Sequence, residues 1–324
     1  MADLTPNLPG DDRWAREALT KLAFAAVTEQ RRARRWGIFF KFLFFGYLVG
    51  LLFLAWPDSL DTTAVTASAK KHTALVRIDG LIASSTEASA KNVIEALRKA
   101  FKDDKTAGVI LEINSPGGSP VQSGEIYDEI KKLRQQHPNI PVHAVTSDVC
   151  ASGGYYIAAA AQNIYANKAS IVGSIGVRMD SFGFTDAIAK IGVERRAYTA
   201  GSNKDFLDPF KPVNLEEVKL LQGMLDAIHQ QFITAVKQGR GERLKDNPDV
   251  FSGLMWTGEQ GVGLGLVDAL GSTRSVAEEV IKEKTIVDYT KHTRWLDRLF
   301  DETQASLSAA LRNGLGMDGM AQWR

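Results

Sequence analysis

Residues Val149 to Ala161 read VCASGGYYIAAAA: a serine among small residues, two glycines behind it, then an alanine-rich run that favours helix. A strand ending on such a corner and leaving as a helix would carry Ser152 to a sheet edge, beside the first amides of that helix. Those amides lack partners inside the helix and attract negative charge. Toward the N-terminus the same unit recurs. AGVILEIN (107–114) reads as a buried strand, SPGGSP (115–120) as a glycine turn and VQSGEIYDEIKKLRQQ (121–136) as a helix. Ser119 is its N-cap, Pro120 its first residue and Gln122 lies three residues beyond the cap. PVHAVTSDV (141–149) is the strand that feeds the serine corner, and YYIAAAA (155–161) the helix that leaves it. Further upstream, TALVRIDG (73–80) is a strand, and EASAKNVIEALRKAFKD (87–103) is a helix with Ala90, Val93, Ile94, Leu97 and Phe101 on one face. This alternation predicts an α/β fold, a mostly parallel sheet with flanking helices.

Two glycine turns on consecutive units suggest an oxyanion hole. Gly117 and Gly118 carry no side chain and let backbone approach a substrate, and Gly153 presents a further N–H next to Ser152, which stands where a nucleophile belongs. A serine hydroxyl needs a base. His72 falls in a linker, His137 in a turn, His143 in the strand before the serine, and His229 and His292 on helical or tail segments. None sits in a glycine-rich turn near an acid, which argues against a Ser-His-Asp triad. A lysine can serve when it is neutral. Lys168, Lys190, Lys204 and Lys211 are candidates; Lys204, in the turn-rich TAGSNKDFLDPF (199–210), is modestly favoured because that loop can fold over a site. Cys150, the single cysteine, excludes an intramolecular disulfide and reads as a small buried filler. No cysteine or histidine spacing resembles a metal site, and nothing calls for a cofactor.

The ends of the chain carry a different pattern. RRARR (31–35) precedes GIFFKFLFFGYLVGLLFLA (37–55), bounded by Trp36 and Trp56. Nineteen helical residues rise about 28 Å, close to a hydrocarbon core of ~30 Å, and Lys41 lies near enough to the start to extend its ammonium to the headgroups. Positions 36–56 are therefore expected to form a single transmembrane anchor with a cytoplasmic N-terminus and an extracytoplasmic domain beyond it. Positions 1–35 form an amphipathic, basic cytoplasmic segment and 57–72 a linker. Positions 73–290 form the main domain. Positions 291–324 are a tail with a helical stripe of Leu296, Leu299, Phe300, Leu307 and Leu311. Net charge across the 324 residues is +1, which gives no case for nucleic acid as a partner.

EINSPGG (112–118), ASGGYYIA (151–158), VGSIGV (172–177), GSNKDFLDPF (201–210) and WTGEQGVGLGLVDALG (256–271), in that order, resemble the signal peptide peptidase A family. That family consists of membrane-anchored Ser-Lys proteases with the ClpP/crotonase-like fold, built from repeated ββα units. The resemblance implies Ser152 as nucleophile, Lys204 as general base, Gly117 or Gly118 with Gly153 in the oxyanion hole, and Ser174 orienting the lysine. The family's tyrosine before the lysine is Asn203 here, which leaves that wall of the pocket open. Where ClpP has its histidine this chain reads SIGVRMD (174–180), in keeping with a lysine base. A single copy of the serine unit matches the short form of the family. That implies a homo-oligomeric ring, such as an octamer, in the bacterial inner membrane with its domain in the periplasm, acting on remnant signal peptides. Two other functions share the geometry: a non-catalytic membrane scaffold, and a crotonase-type acyl-CoA enzyme. The second conflicts with an extracytoplasmic domain.

Overall fold

The computed structural model describes residues 12–55 and 70–291. The chain divides into two units, Met1–Thr62 and Thr63–Arg324.

The described residues of the first unit form one helix, α1 (Asp12–Ala55), whose apolar residues between Trp36 and Leu51 are exposed all round it. Among the described residues no helix is long and apolar enough to cross a membrane. The expected span ends at Trp56, outside them.

The second unit is built on an eight-stranded sheet in the order β6-β5-β3-β2-β1-β8, with β4 pairing β3 and β7. Its strands are β1 (His72–Asp79), β2 (Thr106–Ser115), β3 (Val142–Ala151), β4 (Asn163–Ala166), β5 (Ile171–Gly173), β6 (Met255–Thr257), β7 (Ala269–Leu270) and β8 (Ile286–Asp288). Every pairing among them is parallel except β5 with β6. The helices are α2 (Ala90–Lys102), α3 (Pro120–Gln136), α4 (Gly153–Ala158), α5 (Thr185–Lys190), α6 (Leu215–Arg240) and α7 (Gly258–Leu264). Neighbouring residues Ile110 and Leu111 on β2 point to opposite faces, yet both are fully buried, so the sheet is covered on both sides. The larger core packs Val76, Ile78, Val109, Leu111 and Ile113 against Leu97, Ile126, Ile130 and Ile157. The smaller one gathers Leu75, Ile110 and Val145 under Val276 and Ala277.

Local details differ from the sequence reading at the element ends. α2 begins at Ala90 rather than Glu87. α4 starts on the two glycines and stops at Ala158, while Ala159, Ala160 and Ala161 leave the helix still buried. α6 crosses here so tightly that any side chain on Gly239 would strike the Ala159 carbonyl. His72, expected at the end of a linker, instead opens β1, fully buried, with its ring Nε2 3.0 Å from the Tyr289 hydroxyl. The remainder of that linker, 57–69, and the tail from 292 lie outside the described residues. Ser119 does cap α3, accepting from the Gln122 N–H. The Gln122 side chain reaches across to accept from Ala90 N–H, so one residue ties together the starts of α2 and α3.

One buried ion pair fixes the far end of α6. Arg240, 1% exposed, donates to the Gly265 carbonyl and to Asp268, which also accepts from Ile164 N–H and Arg243. Burial raises the Asp268 carboxyl, but the hydrogen bonds from Arg240 and Ile164 and the charges of both arginines outweigh it and hold the group below the usual carboxylate range.

Candidate active site

The serine corner is made by a change of partner in the sheet. β3 follows β2 in register from Val142 to Thr146 while its other edge pairs with β4. The register then slips, so that Ser115 faces Cys150, and from Val149 onward β3 pairs with β5 instead. A bulge of this kind bends a strand and re-aims the residues beyond it. Asn114 Oδ1 holds the bend by accepting from Val149 N–H. Ser152 then donates its N–H to the Gly173 carbonyl (2.8 Å), and its own carbonyl accepts from Tyr156, the first bond of α4. Between these ties it sits at φ 50°, ψ −120°, a backbone state that costs a non-glycine residue roughly 1–3 kcal/mol. Ser174, one residue past β5, shares this trait at φ 52° and donates its N–H to the Leu254 carbonyl.

The second glycine turn meets this corner from β2. Ser115 Oγ donates to the Gly80 carbonyl and accepts from Gly117 N–H, tying the turn back to β1. Ile82 pairs with the turn by donating to the Gly117 carbonyl and accepting from Ser119 N–H. Amides alternate sides along extended backbone, so the intervening Gly118 N–H points away from Ile82. Neither Gly118 N–H nor Gly153 N–H has an acceptor among the described hydrogen bonds. Contact is close: a Cβ on Gly118 (φ +151°) would strike the Ile82 backbone, and one on Gly117 would lie 2.7 Å from Gly153 N and from Ser152 Cβ.

Both turns open on one cleft of about 660 Å³, lined by Gly118, Ser123, Ser152, Gly153 and Ser174 together with the apolar Val177, Ile228, Phe232 and Met255. The structure thus brings Ser152, Gly118, Gly153 and Ser174 into one cavity, with Gly117 against its wall. It does not bring Lys204 there. Lys204 is exposed on the turn after Gly201, to whose carbonyl its N–H donates, and it is not among the lining residues. Lys168, Lys190 and Lys211 do not line the cleft either, and Lys211 pairs with Asp205. Cys150, two residues before Ser152, is fully buried, and burial pushes its thiol up to about 12, so it stays protonated.

Two residues at the site escaped the sequence reading. His229, set aside as helical, lies with its Nε2 3.0 Å from the Ile175 carbonyl, one residue past Ser174. Only the packing of α6 over β5 reveals this. Ser123 had a local signal: it follows Ser119 by one helical turn, on the face of α3 that carries the glycine turn. The glycine-rich WTGEQGVGLGLVDALG is structural here: Thr257 caps α7 in a capping box, and Gly265 ends it in the left-handed conformation.

The pattern of peptidase family S49 matches residues 134–287 and that of Clp protease residues 70–171. A protein of Synechocystis sp. named as a protease is 36% identical over 219 residues, covering 68% of this chain and 74% of its own. An Enterococcus faecium protein named as a signal peptide peptidase SppA is 29% identical over 250 residues, covering 75% and 72%. A Brucella abortus protein named Na(+)/H(+) antiporter NhaA is 50% identical over 188 residues, 58% of this chain; the chain spans only 25% of that relative's length. A solved structure of a membrane-bound stomatin-specific protease with a substrate peptide aligns over 72% of this chain and 98% of its own, at 17% identity and a TM-score of 0.45.

Proposed function

The chain belongs to peptidase family S49, and from that membership we propose that it is a membrane-tethered serine endopeptidase with Ser152 as nucleophile and Lys204 as general base. The observation that carries this reading is the shared cleft: a serine on a strained corner lines it together with two glycines whose amides have no acceptor among the described hydrogen bonds. Neutral Lys204 takes the Ser152 proton as Oγ attacks a peptide carbonyl, and Gly118 and Gly153 N–H receive the charge that develops on oxygen. The amine leaves with a proton from the lysine, and water activated by the same lysine clears the acyl-enzyme. Ser174 orients the lysine.

Lys204 reaches the cleft from outside the single-chain site, through assembly of subunits into a ring. Support comes from the segment around it, where Met179, Phe182, Ile191, Val193 and Tyr198 leave apolar surface open, as a partner-binding face does. Val177, Ile228, Phe232 and Met255 make the cleft receptive to apolar side chains, which suits remnant signal peptides as substrates. The segment 36–56 anchors the enzyme in the bacterial inner membrane and leaves the site on the periplasmic side. The apolar surface all round its residues 36–51 and the arginines before it support this.

The decisive experiment incubates the detergent-solubilised full chain with apolar peptides and reads products by mass spectrometry. Internal cleavage is expected, rising from pH 6 to pH 9 as the base deprotonates, together with covalent labelling by a fluorophosphonate, both absent in Ser152→Ala. Cleavage that survives this substitution would remove Ser152 from the mechanism; no cleavage and no labelling of the unaltered chain would favour a scaffold. Anchoring is tested separately by washing membranes with alkaline carbonate: the chain should stay in the pellet, and its release would refute the span.

A further inference from the structure

Five buried side-chain polar atoms lack a hydrogen-bond partner among the described residues: Ser123 Oγ, His143 Nδ1, Thr146 Oγ1, one Arg240 nitrogen and Trp256 Nε1. Only Ser123 also lines the Ser152 cleft. It stands at the fourth position of α3 and is fully buried. A serine inside a helix ordinarily turns its hydroxyl onto the carbonyl four residues back. Here that carbonyl, of Ser119, takes only the Ser123 N–H. The hydroxyl instead faces the Cα of Gly153, so closely that any side chain on residue 153 would collide with it. The point such a Cβ would occupy lies 3.3 Å from Gly118 N. The Ser123 hydroxyl and the Gly118 amide thus both lie against Gly153 Cα, and all three residues line the cleft of Ser152, where neither Gly118 N–H nor Gly153 N–H has an acceptor among the described hydrogen bonds.

We infer that Ser123 is a third hydrogen-bond donor to the oxyanion, a catalytic residue alongside Gly118 and Gly153. When Ser152 Oγ bonds to the carbonyl carbon, the C=O π pair moves onto oxygen, and the Oγ proton goes to the base. The tetrahedral oxygen then has three lone pairs. Two face the amides and the third accepts from Ser123 Oγ–H, which keeps its proton throughout. The hydroxyl has no partner among the described residues, so its interaction is gained only as the intermediate forms. An interaction made in the transition state and absent in the ground state raises kcat. It also accounts for glycine at 153: the position yields its side-chain space to this hydroxyl.

The inference rests on Ser152 being the nucleophile, and the experiment separates the two. In the detergent-solubilised full chain, Ser123→Ala should lower kcat roughly 10- to 100-fold, somewhat less than loss of a principal oxyanion donor, with KM within about twofold. Affinity for a peptidyl aldehyde, which forms a hemiacetal with a nucleophilic serine, should fall by the same factor. Binding of an intact peptide to the Ser152→Ala background should not change when Ser123→Ala is added. Ser123→Cys, which keeps the volume but donates weakly, should fall between wild type and Ser123→Ala, and carries the comparison should the alanine variant fail to fold. Full kcat and full aldehyde affinity in Ser123→Ala, with cleavage still dependent on Ser152, would overturn the role of Ser123 and leave the nucleophile in place. A loss confined to KM would overturn it as well, by assigning the hydroxyl to substrate binding. Cleavage independent of Ser152 would remove both.

Discussion

The Ser152 corner and the Lys204 segment hold the two halves of the proposed dyad, and they are built by opposite means. Ser152 is fixed by a parallel sheet buried on both faces, by a bulge that swaps β4 for β5, and by backbone hydrogen bonds, its N–H donating to the Gly173 carbonyl and its carbonyl accepting from Tyr156 N–H. Around Lys204 the chain runs mostly exposed. Its internal ties are made at the surface: the Arg195–Asp208 and Lys211–Asp205 pairs, the Arg195 guanidinium 5.1 Å from the Phe210 ring, the Phe184–Phe210 contact, the Leu207 N–H donating to Glu217, the Phe184 N–H donating to the Pro209 carbonyl, and short turns. The corner is a product of this chain's own core. The lysine segment presents apolar surface that the other described residues do not cover. Where a nucleophile must be strained and held, burial supplies the restraint; in the proposed mechanism a base on an open segment gains its place by association.

The largest expected effect tests that separation directly. Lys204→Met should reduce turnover by at least about 10³-fold while leaving Tm unchanged, because its side chain is exposed in the single chain. Co-assembling Lys204→Met with Ser152→Ala subunits should restore part of the activity, since some sites would then combine an intact serine with an intact lysine from different copies. Mixtures as inactive as their parents would place both groups of each site in one subunit and break the contrast.

Next comes the rigid half. Arg240→Ala leaves the partly buried Asp268 with Arg243 and the Ile164 amide but without its fully buried partner, and should destabilise the domain by about 1.5–3 kcal/mol, read by urea titration. The same pair sets an acid limit. Asp268 is held below its unfolded value, so its contribution is present above about pH 4 and lost as the pH falls through the folded-state value. Stability of wild type should decline there more than that of Asp268→Asn, and parallel declines would deny the pair its role. Gly118→Ala should cost about 1–3 kcal/mol for the forced dihedral, with activity falling alongside as the turn moves off Ile82. The smallest effect belongs to the open half: Tyr198→Ser, at a position 91% exposed, should change single-chain stability by no more than about 0.5 kcal/mol yet weaken assembly measured by sedimentation. A loss of several kcal/mol would mean that this segment is packed after all.

The alternation of strand and helix from Thr73 to Ala161 was legible because buried parallel strands read as apolar runs and each glycine turn is a local signal. The approach of Gly117 and Gly118 to Ser152 followed from two such units standing side by side. Element ends were less legible: whether α4 starts at Gly153 or Tyr155 depends on the Ser152 carbonyl finding Tyr156 N–H, and His72 joins β1 because Tyr289, more than two hundred residues away, meets its ring.

By itself the sequence determined the α/β architecture and the placing of one serine between two glycine turns, since periodicity and missing side chains act within a few residues of where they are written. Tertiary structure alone decided three things: that β3 exchanges partners at Val149, that the Ser123 hydroxyl fills the space Gly153 leaves, and that Lys204 lies outside the cleft. Each depends on surfaces distant in sequence coming into contact, and the free energy of such contacts is a property of the packed chain.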